Sequence, residues 1–199
     1  IIALFPEASF GSALNCVGIA QDLQRYGAIP VFLCHPGFNG VFAEYAFKEY
    51  QLPATAPSQP QTEDTWQSFV TAHVAHFNQD PMAQLHSYVA PTWDAIVDTA
   101  IRAEDGLETL LKRIKPAGIV LDNVIMFPAI ANAGVPWVRV VSCTETEIPD
   151  AHVPPYLSGM AADDPARPAF EAAYLEITAP AHHRYNVFRG QRGLPPLPA

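Results

Sequence analysis

The first 34 residues constrain the fold most strongly, because they predict a strand, a loop, a helix and a second strand in succession. Residues 1–5 and 29–34 are continuous apolar runs, as in the buried strands of a parallel sheet. Between them, residues 11–26 place apolar side chains at helical spacing, and Gly27 is a typical residue to end a helix. This order predicts a right-handed βαβ unit.

Further strands and helices follow along the rest of the chain. We predict strands over residues 46–52, 117–121 and 137–142. We predict helices over residues 38–45, 63–78, 82–115 with a bend at Pro91, 125–133 and most of the tail beyond Pro155. The pattern is that of an α/β protein with a Rossmann-like, doubly wound, mainly parallel sheet and flanking helices.

The composition excludes some classes of partner. The chain has 199 residues, of which 49% are hydrophobic, and its net charge is −9 with no cluster of Lys or Arg. Nucleic acid and anionic membranes are therefore not expected as partners. No apolar stretch reaches the roughly 20 residues of a membrane span, and no signal peptide is visible. We expect a cytoplasmic protein, with a few native residues missing ahead of Ile1.

The spacing of cysteine and histidine does not indicate a metal site. The cysteines are Cys16, Cys34 and Cys143, and the closely spaced histidines are His73 with His76 and His182 with His183. An odd number of widely spaced cysteines favours buried, reduced thiols over a disulfide framework or a zinc site. Neither histidine pair has a convincing third ligand, which favours surface histidines over zinc ligands. We therefore expect no bound metal.

Three strand ends are expected to meet at one edge of the sheet, where open α/β proteins bind their ligands. They are the loop over residues 6–12, the pair Asp122 and Asn123, and the loop over residues 143–148. The sequence contains no G-x-G-x-x-G, G-x-x-x-x-G-K-[ST] or G-x-S-x-G motif. A dinucleotide fingerprint, a P-loop and a hydrolase nucleophile elbow are therefore excluded.

Each polar residue at this edge has a structural interpretation beside a functional one. Asp122 ends an apolar strand and is either a helix N-cap or a functional carboxylate. Glu7 is either a solvated loop acid or a site residue, and Ser12 is either a helix cap or a site residue. Glu145 and Glu147 are two residues apart on a loop, which does not establish a paired-carboxylate glycosidase site.

Three stretches of the sequence carry a family resemblance. Gly11 and Gly27 stand sixteen residues apart around an amphipathic helix that ends in Arg25-Tyr26-Gly27. Residues 115–122, KPAGIVLD, are similar to a strand with the pattern P-D-hydrophobic-hydrophobic-x-D, and residues 133–138, AGVPWV, are similar to the segment before a fifth strand. In these stretches the chain resembles the N-terminal, acceptor-binding half of GT-B glycosyltransferases of the UDP-glycosyltransferase superfamily.

The resemblance implies transfer of a sugar from a nucleotide-sugar, a UDP- or dTDP-sugar, to a hydroxyl of a small, largely apolar acceptor, with inversion. In the family, a histidine at the start of the first helix removes the acceptor proton, and an aspartate at the end of the fourth strand orients that histidine. Asp122 falls on the aspartate position, and Ser12 falls on the histidine position. The implied catalytic residues are Asp122 and Ser12, and the implied acceptor-binding residues are Glu7, Phe10, Asn123, Thr144 and Glu145.

The resemblance also implies a two-domain enzyme. Residues 1–199 are expected to form a single, incomplete N-terminal acceptor-binding domain, and the C-terminal domain that binds the nucleotide-sugar is absent from this chain. The chain itself is expected to bind no cofactor. Its expected partners are a small-molecule acceptor and the missing donor domain.

Ser12 departs from the family pattern, because a serine hydroxyl is not a general base near neutral pH. Asp122 or Glu7 could accept the proton directly, an absent part of the protein could supply the base, or an acidic acceptor could need little help. Ser12 could instead hydrogen-bond the acceptor. Two other functions stay open, a non-catalytic binding or activator protein on the same scaffold and an unrelated α/β module that binds a small anion at the first helix.

Overall fold

A five-stranded, entirely parallel sheet organises the chain, and the computed structural model describes residues 1–53, 65–142, 150, 152–155 and 157–198, with residues 65–67 described by their backbone alone. Its strands are β1 (Ile2–Pro6), β2 (Pro30–Cys34), β3 (Lys48–Gln51), β4 (Gly118–Asp122) and β5 (Trp137–Val140). Its α-helices are α1 (Phe10–Arg25), α2 (Thr65–His73), α3 (Pro81–Gln84), α4 (Ala90–Ile114), α5 (Pro128–Ala131) and α6 (Arg167–Gln191). The strand order β3-β2-β1-β4-β5 confirms the predicted Rossmann-like, doubly wound fold.

The chain divides into two compact units. The first comprises Ile1–Phe69 and Arg102–Ser142 and contains the whole sheet with α1. The second comprises Val70–Ile101 and Cys143–Ala199, and in it Phe170 of α6 packs in a buried cluster with Leu85 and Val89. Two of the three boundaries fall inside helices, in α2 and in α4, and the third follows Ser142. The single incomplete domain over residues 1–199 stays a prediction.

Helix α1 covers one face of the central strands. Its apolar side chains join alternate residues of β1, β2 and β4 in one core; the members include Ala13, Cys16, Val17, Ala20, Leu4, Phe32, Cys34 and Val120. Because side chains alternate between the faces of a strand, Asp122 shares the α1 face with Val120. The strand β1 pairs with β4 in a register that sets Pro6 beside Asp122, so the two strands end together.

The predicted helix over residues 38–45 is wrong, because two short 3₁₀ turns, Pro36–Phe38 and Ala43–Tyr45, occupy that region. Gly40 has a φ of +90°, which interrupts a right-handed helix. The backbone N–H groups that a helix would use internally instead donate to the Glu49 carboxylate of β3. This side-chain acceptor, six to nine residues further along the chain, replaces the helical hydrogen bonds.

The predicted long helix over residues 82–115 is interrupted ahead of Pro91. A π-helical turn, Leu85–Val89, separates α3 from α4, and the Ala90 N–H donates to the Leu85 carbonyl oxygen. Pro91 therefore lies in the first turn of α4, where its missing N–H costs little. In the described part of the chain, none of the helices combines the length and apolarity needed to cross a bilayer.

Candidate functional site

Asp122 is the last residue of β4, and its side chain is only 2% exposed. Its Oδ2 accepts a hydrogen bond from Asn15 Nδ2 at 3.0 Å, and its Oδ1 accepts one from Ser142 Oγ at 2.7 Å. Asn15 lies on α1 and Ser142 follows β5, and both residues are exposed. The two polar side chains therefore connect a buried carboxylate with the surface at the carboxyl edge of the sheet.

Hydrogen bonds surround the Asp122 carboxylate. Among the described residues, no Lys or Arg forms an ion pair with this carboxylate. Burying an ionised carboxylate costs free energy unless hydrogen bonds compensate it. The hydrogen bonds from Asn15 and Ser142 supply that compensation.

Cys16 is a thiol and not a nucleophile in this site. Its Sγ lies 4.0 Å from Asp122 Oδ2. Burial and then the negative charge of Asp122 raise the pKa of Cys16 to about 12. Since the thiolate is the reactive form, covalent chemistry at Cys16 is disfavoured at neutral pH. The described residues also contain no cluster of three His, Cys, Asp or Glu side chains arranged to hold a metal ion.

The Ser12 hydroxyl is hydrogen-bonded to backbone groups. Ser12 is 3% exposed, and its Oγ donates to the Asp122 carbonyl oxygen at 3.0 Å. The same Oγ accepts a hydrogen bond from the Glu7 N–H at 3.1 Å, while that N–H also donates to the Asp122 carbonyl oxygen at 2.7 Å. Ser12 therefore fastens the loop after β1 to the end of β4, and its hydroxyl does not reach the Asp122 carboxylate.

The side chains of Glu7 and Phe10 lie at the N-terminus of α1. Ser9 is the N-cap of this helix, and its Oγ accepts from the Ser12 N–H and lies 3.5 Å from Glu7 Oε2. Glu7 is half-buried, whereas Phe10 is 59% exposed with its ring centroid 5.3 Å from that of the buried Phe38. The start of α1 thus places an acid and an exposed aromatic ring close together along the chain.

Asn123 stabilises the loop after β4 with two hydrogen bonds. Its Oδ1 accepts from the Ile125 N–H at 3.1 Å, and its carbonyl oxygen accepts from Arg139 Nε at 2.8 Å. Arg139 also donates from Nη2 to the Val124 carbonyl oxygen at 3.1 Å. The loop beside Asp122 is therefore held by a charged side chain from β5.

His35 follows β2 at the same edge but lies against Phe5, whose side chain points away from α1. The two rings stack with centroids 5.1 Å apart, and Phe127 meets Phe5 edge-on at 5.0 Å. His35 Nε2 is buried, with no hydrogen-bond partner among the residues that the structure describes. Burial lowers the pKa of His35 to about 4, so the imidazole is neutral at physiological pH.

His35 is expected to make the protein less stable in mild acid. The unfolded chain takes up a proton near pH 6.5 and the folded chain only near pH 4, so the free energy of unfolding falls as the pH drops between those values. The loss is about 1–3 kcal/mol, allowing for the partial exposure of the ring. Urea unfolding of wild type and His35→Phe at pH 7.5 and pH 4.5 measures it, with exposed His86→Phe as the control. If wild type and His35→Phe lose the same free energy of unfolding between pH 7.5 and pH 4.5, the lowered pKa of His35 is contradicted.

The structure places most of the predicted site residues at one edge but gives them different surroundings. The Ser12 hydroxyl and the backbones of Glu7 and Asp122 share one hydrogen-bond network, and Asn123 follows directly. Thr144 and Glu145 lie outside the described residues, as does Cys143. Cys16 and Cys34 are buried free thiols, as predicted.

The sequence interpretation missed Asn15, Ser142 and His35. Asn15 lies three residues beyond Ser12, next to the buried positions of α1, and Ser142 lies two residues beyond β5. A polar residue at the carboxyl end of each neighbouring strand was the available signal. It would have pointed to Ser142 and His35 but not to Asn15, which lies on α1, and it does not show which residue contacts the Asp122 carboxylate.

Solved structures of glycosyltransferases share this architecture. SsfS6 of Streptomyces sp. SF2575, in complex with thymidine diphosphate, matches with a TM-score of 0.52 and 12% identity over 100% of this chain and 46% of that enzyme. The glycosyltransferase VinC in complex with DTDP matches with a TM-score of 0.51 and 12% identity over 98% of this chain and 45% of that enzyme. The chain has the α/β fold of GT-B glycosyltransferases. No protein-family model and no curated protein matches its sequence.

The GT-B likeness covers only part of those enzymes. The chain spans a little under half of their length. At 12% identity the likeness establishes the fold and assigns no role to any residue. The chemistry of the site therefore depends on the side chains that this chain places there.

Proposed function

We propose that the protein is a glycosyltransferase that transfers a sugar from a nucleotide-sugar to a hydroxyl of a small, largely apolar acceptor, with inversion, and that this chain holds the acceptor. The observation that carries the proposal is the Asp122 carboxylate, buried at the carboxyl end of β4 and joined to the exposed Asn15 and Ser142. In open α/β sheets this edge is where ligands bind. The GT-B fold supplies the reaction class.

The surface near this edge suits an acceptor that is apolar with a few hydroxyl groups. Phe10 and Leu14, four residues apart on α1, are 59% and 48% exposed, and Val141 beside Ser142 is 40% exposed. Residues four apart lie on the same face of a helix, so Phe10 and Leu14 offer one apolar patch. Asn15 and Ser142 supply hydrogen bonds that would orient a hydroxyl.

The donor would be bound elsewhere in the native protein. SsfS6 and VinC are each described in complex with thymidine diphosphate, and this chain spans less than half of either enzyme. We propose a dTDP- or UDP-sugar as the co-substrate and a C-terminal domain, absent from this chain, as its site. No residue is proposed here to hold a cofactor or a metal.

One observation favours a second function, a non-catalytic binding or activator protein on the same scaffold. The first turn of α1 begins Phe10, Gly11, Ser12 and contains no histidine, and the Ser12 hydroxyl is engaged by the backbone. A site that had lost its base would still bind an acceptor. The two functions differ in turnover and not in binding.

The test is an assay of the native full-length polypeptide that contains this chain. It is incubated with dTDP- and UDP-sugars and a panel of small apolar alcohols and phenols, and products are identified by mass spectrometry. We expect a glycoside with inverted anomeric configuration, detected by NMR. Acceptor binding by calorimetry with no product over the whole panel would favour the non-catalytic protein, and neither binding nor product would overturn both.

A further inference from the structure

A proton acceptor is required at the edge that holds the acceptor hydroxyl, and the obvious candidate there is inaccessible. The Asp122 carboxylate is 2% exposed, and each of its oxygens already accepts a hydrogen bond, from Asn15 and from Ser142. A general base must come within about 2.6–3.2 Å of the proton that it removes. A substrate hydroxyl therefore meets Asn15 or Ser142 before it meets Asp122.

The other groups in the described part of this edge are equally unsuited to remove the proton. The Ser12 hydroxyl is bound to the Asp122 carbonyl oxygen and to the Glu7 N–H. Cys16 is a protonated, buried thiol. His35 stacks on Phe5, on the face of the sheet that α1 does not cover, and its Nε2 is enclosed.

Glu7 is the other carboxylic acid in the described part of this edge. It is half-buried, directly after β1, and its backbone is fixed by the N–H bonds to Ser12 Oγ and the Asp122 carbonyl oxygen. Its Oε2 lies 3.5 Å from the Ser9 hydroxyl, so the carboxylate sits at the N-cap of α1. It is also the one ionisable side chain in the loop over residues 6–12. Because the backbone of Glu7 is fixed, its side chain starts from a defined position.

We propose that the Glu7 carboxylate is the general base of the transferase, an inference that rests on the proposed function. The acceptor O–H bond breaks and its proton passes to a Glu7 carboxylate oxygen. The acceptor oxygen forms a bond to the anomeric carbon of the sugar, while the bond from that carbon to the phosphate oxygen breaks and its electron pair leaves with the nucleoside diphosphate. Asp122 is then a positioning residue that orients Asn15 and Ser142 beside the hydroxyl, and Ser9 is a positioning residue for Glu7.

The assignment has a kinetic signature. A free glutamate titrates near pH 4.3 and a histidine near pH 6.5. The acid limb of kcat/KM against pH reports the base of the free enzyme. With Glu7 as the base, the acid limb lies lower than a histidine base would place it, and Glu7→His moves the limb upwards.

The experiment compares wild-type full-length protein with Glu7→Gln, Glu7→His and Glu44→Gln. Glu44→Gln is a matched control, because Glu44 is exposed in the same unit and its substitution removes the same negative charge. We expect Glu7→Gln to lower kcat by about 100- to 10,000-fold with the melting temperature and the acceptor affinity unchanged. Glu44→Gln should leave kcat unchanged, and Glu7→His should regain part of the rate with a raised acid limb.

The outcomes separate this inference from the proposed function. Turnover by wild type together with a Glu7→Gln rate within about threefold of it overturns the role of Glu7 and leaves the transferase intact. If the acid limb of kcat/KM does not move in Glu7→His, the role of Glu7 is likewise overturned and the transferase is left intact. Absence of turnover in wild type overturns the transferase and the base together.

Discussion

Replacing Asp122 by asparagine is expected to lower turnover by about 10- to 100-fold while the free energy of unfolding stays within about 1 kcal/mol of wild type. Asparagine fills the same volume, and both hydrogen bonds can survive. Its Oδ1 accepts from Asn15 Nδ2, and its amide donates to Ser142 Oγ, which reverses from donor to acceptor. Only the negative charge is lost, and the cost of burying that charge disappears with it.

The measurement pairs steady-state kinetics with urea unfolding. Asp105→Asn is the control, because Asp105 is exposed on α4 within the same unit. Asp122→Ala should be less active and less stable than Asp122→Asn, since Asn15 and Ser142 then lose a shared acceptor. Full turnover by Asp122→Asn would reduce Asp122 to a residue that only fastens β4 to α1 and β5.

The central strands and α1 could be predicted because their signals are local. Residues 1–5, 29–34 and 117–121 are apolar without interruption, and such runs have no stable place other than a sheet covered on both faces. The ends of the elements were less predictable. Helix α5 occupies only Pro128–Ala131 of the predicted 125–133, and β5 ends at Val140 before Ser142 turns towards Asp122.

The site was predicted in position but not in connectivity. Asp122 stood out because it ends an otherwise apolar strand, and a carboxylate there needs partners. Which partners it finds depends on the register of β4 with β1 and β5, which local sequence does not encode. Ser12 illustrates the difference, because its hydroxyl meets the carbonyl oxygen of Asp122 while the carboxylate is met by Asn15, one helical turn further along α1.

The helix predicted over residues 38–45, within the segment 36–47, was wrong for a reason of the same kind. The Glu49 carboxylate accepts from the N–H groups of Gly40 at 2.8 Å, Phe42 at 2.6 Å and Ala43 at 2.9 Å. Phe42 is fully buried, and its ring stacks on Phe32 at 4.0 Å. One side chain from the edge strand β3 therefore shapes the segment that precedes it.

Replacing Glu49 by alanine is expected to lower the free energy of unfolding by about 2–4 kcal/mol. Three backbone N–H groups lose an ionised acceptor, and hydrogen bonds to charged groups contribute about 1.5–3 kcal/mol each before discounting for partial exposure. Glu49→Gln should lose less, because its amide oxygen still accepts from Phe42 and Ala43. Urea unfolding measures the series, and Glu44→Gln, on the same segment but exposed, is the control.

The loss of stability in Glu49→Ala should first affect the segment over residues 36–47 and should also affect the candidate site. Cys34 is 1% exposed beneath this segment, so its labelling by a thiol reagent should accelerate in Glu49→Ala while labelling of Cys16, under α1, stays slow. Phe38, at the start of the segment, supports the exposed ring of Phe10 at 5.3 Å. A loosened Phe38 should therefore raise the KM for an apolar acceptor more than it lowers kcat. Equal labelling rates for Cys34 in wild type and Glu49→Ala would show that the three hydrogen bonds do not hold the segment closed.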